Sequence, residues 1–322
     1  MNYNSDVEAV DAFSNKYKTL KKEISKIIVG QDEAVSFVLT SIFCNGHSLL
    51  IGVPGLAKTL LVNTISQVLE LDFQRVQFTP DLMPSDIIGA EILDENKKFK
   101  FNKGPIFSNI VLADEINRTP PKTQAALLEA MQERHVTVSG EKHLLPKPFF
   151  VLATQNPIEQ EGTYRLPEAQ LDRFLFKINV DYPNADEELE IIMREQALEN
   201  TTKVGKIETI IEGAKILEYR SLVNQIKIEE NLLKYIANIV VNTRSNSFLY
   251  LGASPRASIA ILNASKAFAA IEGRDFVTPE DIKRATIPVL QHRVIVTPER
   301  EMEGLTSKQI IEQIIEAVEI PR

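Results

Sequence analysis

The sequence predicts an α/β fold, with a parallel sheet covered by helices on both sides, followed by a second, helical region. Three observations carry this. Ser48–Ile51 is apolar, Gly52–Thr59 holds two glycines, and Leu61, Ile65 and Val68 then recur at helical spacing. Ile110–Ala113 and Phe149–Thr154 are apolar runs that end in polar residues, as strands buried on both faces do. Beyond Tyr182-Pro183-Asn184 the signals are helical, which sets an expected boundary between domains at 1–183 and 184–322.

In chain order, residues 1–27 are a polar lead-in and an amphipathic helix, with Val10, Phe13, Tyr17, Leu20, Ile24 and Ile27 on one face. Ile28-Val29-Gly30-Gln31 interrupts it, Asp32–Cys44 restarts a helix, and Gly46 ends that helix. Phe73–Phe78 alternates like a strand, and Thr79–Ser85, with two prolines, is a loop. Ile88–Leu93 and Lys98–Phe101 flank Asp94-Glu95-Asn96-Lys97 and predict an inserted β-hairpin. Thr119 is placed to cap a helix starting at Pro120, with Ala125, Leu128 and Met131 as its stripe. His135–Leu145 predicts a second hairpin, and Leu171-Asp172-Arg173 leads into a last strand, Phe174–Val180. Helices are expected over 186–199, 229–243, 255–271 and 279–290, with Ser254-Pro255 and Thr278-Pro279 as cap-plus-proline starts.

Composition narrows the class. At 322 residues the chain has room for about two domains. A net charge of −8 argues against a broad nucleic-acid-binding face. The single cysteine, Cys44, excludes an intramolecular disulfide and a cysteine-based zinc site, and its apolar surroundings predict a buried small hydrophobe. The apolar runs fall short of the roughly 18 residues that would predict a membrane span. The polar, acidic N-terminus does not resemble a secretory leader, so a reducing cytoplasmic setting is expected.

Strand, glycine-containing loop and helix are the context that phosphate binding needs. Backbone N–H groups converge on phosphate oxygens, and the helix N-terminus adds partial positive charge. In Gly52-Val53-Pro54-Gly55-Leu56-Ala57-Lys58-Thr59, Lys58 is expected to reach the β- and γ-phosphates of a nucleotide, and the Thr59 hydroxyl to ligate Mg²⁺. Leu60 opens the helix behind the loop. Ala57 stands where the general pattern has its second glycine, so the loop is expected not to need positive φ there.

Ligands bind at the C-terminal ends of parallel strands, where Asp114-Glu115 and Asn156 also fall. Phosphoryl transfer to water calls for these residue types. Asp114 is assigned to Mg²⁺ or its water, Glu115 to polarising the attacking water, and Asn156 to positioning that water or the γ-phosphate. Adjacent residues on a strand face opposite ways, but the turn at the strand's end lets both acids line one cleft. Arg173 precedes a strand, and Arg256 sits in the first turn of a helix, where a cation opposes the macrodipole and a phosphate partner would suit it. Taken singly, each arginine is equally well explained by a surface ion pair.

Taken together, Ile28–Gln31, Gly52–Thr59 with its alanine, Leu112-Ala113-Asp114-Glu115-Ile116-Asn117-Arg118, Ala153–Pro157, Leu171-Asp172-Arg173-Phe174 and Ser254-Pro255-Arg256 resemble the MoxR family of AAA+ ATPases over nearly the whole chain. The resemblance implies an AAA+ P-loop fold: a five-stranded parallel sheet between helices, with a C-terminal helical lid. It implies that Ile28, Val29 and Gly30 pack on adenine, that Asn156 is sensor 1, that Arg173 is an arginine finger acting on a neighbour's ATP, and that Arg256 is sensor 2. It also implies ATP and Mg²⁺ as cofactors, a ring, commonly a hexamer, and a chaperone-like role with a von Willebrand factor A-type partner. The hairpins at about 86–104 and 135–146 resemble the insertions of this clade.

Two other readings stay open at this stage. Lys97-Lys98-Phe99-Lys100-Phe101-Asn102-Lys103 interleaves lysines with aromatics, as single-strand grooves do, although a solvated hairpin with its aromatic side turned inward explains it better. A metal-chelatase subunit would share the fold and the insertions. The four histidines, His47, His135, His143 and His292, are scattered without ligand spacing.

Overall fold

The computed structural model describes residues 6–93, 95, 97–157, 163–197 and 207–320. The first part runs α1 (Asp6–Ile24), α2 (Asp32–Phe43), β1 (Ser48–Ile51), α3 (Lys58–Val68), β2 (Phe73–Gln77), α4 (Pro84–Ile88), β3 (Gly89–Leu93), β4 (Phe99–Lys103), β5 (Ile110–Asp114), α5 (Pro121–Glu133), β6 (His135–Val138), β7 (Glu141–Leu144), β8 (Phe150–Gln155), α6 (Glu168–Leu171) and β9 (Phe176–Asn179). The second runs α7 (Ala185–Ala197), α8 (Lys215–Gln225), α9 (Glu230–Ser245), β10 (Leu249–Leu251), α10 (Pro255–Ile271), α11 (Pro279–Leu290), β11 (Ile295–Val296), α12 (Pro298–Met302) and α13 (Ser307–Ala317).

The main sheet is five-stranded and parallel, in the order β2-β5-β8-β1-β9. Its central strands β5, β8 and β1 are apolar on both faces because both are covered, whereas the edge strands β2 and β9 carry polar residues. Leu50, Leu112 and Leu152 point into one hydrophobic cluster, and Leu49, Val111, Ala113, Val151 and Ala153 into another. Burying a leucine or valine side chain stabilises the fold by about 1.5–3 kcal/mol, so the central strands are its most strongly held part. The first cluster continues from α1 and α2 into α10, where Phe13, Phe43, Ile261 and Phe268 share one core.

The second part is helical, as expected, with a two-stranded ribbon of β10 and β11 in addition. Three of its helices, α8, α12 and α13, fall outside the expected ranges. In α8 the stripe Ile216, Tyr219 and Val223 is broken by a buried arginine, which hides the period. Arg220 is held there by donating to Ile42 O at 2.7 Å and Asn45 Oδ1 at 2.7 Å.

Four smaller expectations need correction. Thr119 does not cap α5. A short 3₁₀ turn over Ile116–Arg118 uses up that stretch, Pro120 takes the cap position, and Pro121 is the first helical residue. This rotates the buried stripe to Thr123, Gln124, Leu127, Leu128 and Met131 and leaves Ala125 exposed. The last sheet strand begins at Phe176, two residues later than expected. The loop before the first hairpin ends in α4, whose Asp86 carboxylate accepts the Met83 N–H at 2.8 Å. Residues 1–5 of the lead-in, 94 and 96 of the first hairpin's turn, and 198–199 of an expected helix lie outside the described residues.

Both insertions form and pack on each other. The Phe101 and His143 rings stack at 4.1 Å and 21°, and Ser139 Oγ donates to Glu91 Oε2 at 2.6 Å. Only Phe101 of the aromatic pair turns inward; Phe99 is 74% exposed.

Candidate nucleotide site

The loop between β1 and α3 curves around its own lysine. Lys58 Nζ donates to Gly52 O at 2.5 Å and Val53 O at 3.3 Å. Burial lowers the Lys58 pKa, while the negative charges of Asp114 and Glu115 act in the opposite direction. Gly52 is there because the backbone passes close to the residue that follows β9: a Cβ would meet Val180 O at 2.9 Å.

Ala57 departs from expectation. It takes a left-handed conformation, φ 51° and ψ 24°, at the N-cap of α3. The turn into the helix demands positive φ, and an alanine supplies it at a cost of about 1 kcal/mol relative to glycine.

Asp114 ends β5 and Glu115 follows it, between the strands that carry their partners. Asp114 Oδ1 accepts from Thr154 Oγ1 at 2.6 Å, and Oδ2 accepts from Arg75 Nε at 3.0 Å and Nη2 at 2.7 Å. Glu115 turns out of the strand in a left-handed conformation, φ 57°, and its N–H donates to Thr154 Oγ1 at 2.8 Å. That turn brings both acids to one side, as the strand-end argument requires. Glu115 Oε2 accepts from Gln77 Nε2 at 2.8 Å and from Arg118 Nη1 at 2.9 Å. Asn156 follows β8 and is 6% exposed.

These groups meet in one cleft of about 510 Å³, lined by Pro54–Leu60, Arg75, Asp114, Glu115 and Asn156. The donor set suits a nucleoside triphosphate with a hard divalent cation: a backbone cradle, an ammonium, a hydroxyl at Thr59 and a buried carboxylate. Ile28, Val29 and Gly30 do not line this cleft. They stand beside it, tied to the loop by Gln31 Nε2 donating to Leu56 O at 3.2 Å.

The two arginines lie elsewhere. Arg173 Nη1 donates to Leu128 O of α5 at 2.7 Å, and its Nε is buried with no partner among the described residues. Arg256 is exposed in the first turn of α10. The flanking residues are joined: Ser254 Oγ donates to Asp172 Oδ2 at 2.9 Å, and Arg293 Nε donates to Asp172 Oδ1 at 2.7 Å. Arg75, Gln77 and Thr154 were not singled out from the sequence. Their contribution depends on cross-strand register, Gln77 beside Asp114 and β8 beside β5.

A phosphate loop after one strand, and an acidic pair ending the strand two places across, define a P-loop nucleoside triphosphatase of the AAA+ type. Residues 47–176 match the ATPase family associated with various cellular activities (AAA), and residues 241–314 match the AAA lid domain. The chain is 43% identical over 301 residues to the Bacillus subtilis protein YeaC, with 93% of each covered. It is 43% identical over 310 residues to chaperone MoxR1 of Mycobacterium tuberculosis, covering 93% of this chain and 81% of that one. A crystal structure of a protein from Cytophaga hutchinsonii superposes with a TM-score of 0.91 at 46% identity, with 98% of each chain covered. The chain belongs to the MoxR family of AAA+ ATPases.

Proposed function

We propose that this chain is a Mg²⁺-dependent, ATP-hydrolysing motor that works as a chaperone in assembling or activating partner proteins. The observation that carries the reading is the single cleft in which Lys58 and the loop face Asp114, Glu115 and Asn156. Gly55, Leu56, Ala57 and Leu60 offer backbone N–H groups to the phosphates, Pro54, which has no N–H, shapes the loop beside them, and Gly52 closes the loop behind. Lys58 binds the β- and γ-phosphates. Thr59 and Asp114 would hold Mg²⁺, which supplies charge neutralisation at the phosphates. Glu115 polarises the attacking water, and Asn156 positions it. Ile28, Val29 and Gly30 form the adenine side.

Arg173 and Arg256 stand outside the cleft, which supports their acting across a subunit boundary. A ring, a hexamer by family habit, follows from that, and a von Willebrand factor A-type partner is proposed on the same ground. The chaperone role leans on the name of the mycobacterial relative. No helix among the described residues is long and apolar enough to cross a membrane, and a cytoplasmic setting is proposed. Residues 1–183 are proposed as the nucleotide-binding domain and 184–322 as the lid.

Glu115→Gln and Lys58→Ala test the site. The first is expected to bind ATP with hydrolysis reduced about 10²–10⁴-fold, and the second to lose ATP binding. Unchanged hydrolysis in Glu115→Gln would remove that residue as the base.

A further inference from the structure

The cleft holds a charged residue that none of these roles uses. Arg75 lies on the edge strand β2, its side chain 47% exposed, and reaches across to the end of β5. There it donates twice to Asp114 Oδ2, while Thr154 occupies Oδ1. Both oxygens of the proposed metal-holding carboxylate therefore have partners already. The Thr154 bond is buried between two central strands and also supports the Glu115 N–H, so it has nowhere to go. The Arg75 contact is the exposed one, made by a long side chain at the sheet's edge.

We propose that Arg75 is the resident counter-ion of Asp114, displaced when the metal–nucleotide complex enters. This rests on the reading of Asp114 as a metal-holding residue. The physical reason is competition: Oδ2 already accepts two N–H bonds from the guanidinium, which fills both of its lone-pair directions, and an unpaired carboxylate as enclosed as Asp114 is costly. Arg75 removes that cost while the cleft is empty and opposes the incoming metal by the same amount. The exchange keeps Asp114 paired at every stage. Arg75 Nη2 also donates to Gln77 Oε1 at 2.6 Å, so a place for the released guanidinium already exists at the mouth.

The test is Mn²⁺ binding, read by its electron paramagnetic resonance signal in the presence of ADP, on the full chain and its Arg75→Gln, Arg75→Lys and Asp114→Asn variants. Arg75→Gln is expected to bind Mn²⁺ about three- to tenfold more tightly at low salt, a gain that shrinks as salt rises. Arg75→Lys, which keeps the charge but loses the fork, is expected to fall between. Denaturant unfolding provides a second readout: Arg75→Gln should lower the midpoint of the metal-free protein more than that of the Mn²⁺–ADP complex. Equal or weaker Mn²⁺ binding in Arg75→Gln overturns the proposal. Unaltered Mn²⁺ binding in Asp114→Asn overturns the underlying assignment of Asp114 instead, so the two failures are told apart.

Discussion

The Thr154 hydroxyl bridges both acids of the site: it donates to Asp114 Oδ1 at 2.6 Å and accepts the Glu115 N–H at 2.8 Å. One buried side chain thus sets the rotamer of the first carboxylate and the backbone turn that aims the second. Thr154→Val keeps the shape and removes the bridge. Its kcat for ATP is expected to fall about 10–100-fold, as for other partners of metal-holding groups, with nucleotide affinity nearly unchanged. Stability should drop by about 1–3 kcal/mol, since Asp114 and the Glu115 N–H each lose a buried partner. Steady-state kinetics beside nucleotide titration separates the two effects; a raised KM at normal kcat would place Thr154 in binding instead.

Arg173 is held to α5 through Leu128 O but takes no part in its own cleft. Arg173→Ala is expected to bind ATP normally and hydrolyse it about 10³–10⁵-fold more slowly. Complementation decides where it acts. Mixing Arg173→Ala with Glu115→Gln creates subunit pairs in which an intact Glu115 meets a neighbour's intact Arg173. Recovery of ATPase activity on mixing is expected; a mixture as inactive as its parts would place Arg173 outside the neighbour's site.

Arg293 is a buried cation with a single carboxylate partner among the described residues, Asp172, and it also donates to the carbonyls of Asp172, Phe174, Leu175 and Val289. Asp172→Asn removes the compensating charge and is expected to cost about 3–5 kcal/mol. Replacing both, with Arg293→Met, should cost less than the two single changes summed, because the stranded charge goes too. Denaturant midpoints of the four proteins measure the coupling, and strict additivity would mean that the pair is not coupled.

Stability should fall on mild acidification. His47 and His292 are buried, and burial with neighbouring arginine charge pushes both well below the ordinary value of 6.5. His47 Nδ1 accepts the Val151 N–H at 2.9 Å, so this nitrogen is unprotonated in the fold. As pH falls through 6.5 the unfolded chain takes up protons that the native chain refuses. Unfolding free energy then drops by about 1.4 kcal/mol per pH unit per histidine, until the depressed native values are reached. His292→Gln should unfold with a shallower pH slope between 6.5 and 5.5 than the parent, a difference of about one proton. Parallel slopes would show that His292 protonates freely in the fold.

Much of the site was legible because its chemistry sits at strand ends, where an apolar run gives way to Lys-Thr, Asp-Glu or Asn. Those transitions are one-dimensional and survive in a string of letters. Arg75 and Thr154 were not legible as site residues. Each acts on a strand far away in sequence, and only the register of a formed sheet shows the contact. Ala57 misled for a related reason: residue type argued against positive φ, but the turn into α3 imposes it. In the second part of the chain, α8 is hidden by Arg220, a charged residue in the middle of its buried stripe. The signal for α13 was present, with Thr306 and Gln309 forming a capping box ahead of Ile310, Ile311, Ile314 and Ile315.

The stack of Phe101 on His143 and the Ser139–Glu91 bond join two insertions that arise 46 positions apart, at Gly89 and His135. Joined, they lose their independent degrees of freedom. A displacement that begins at β2, whose chain continues through α4 into the first hairpin, must carry the second hairpin along. Each copy of the chain would then present one coupled appendage rather than two. Breaking both the stack and the Ser139–Glu91 bond would free the two hairpins from each other without touching the cleft.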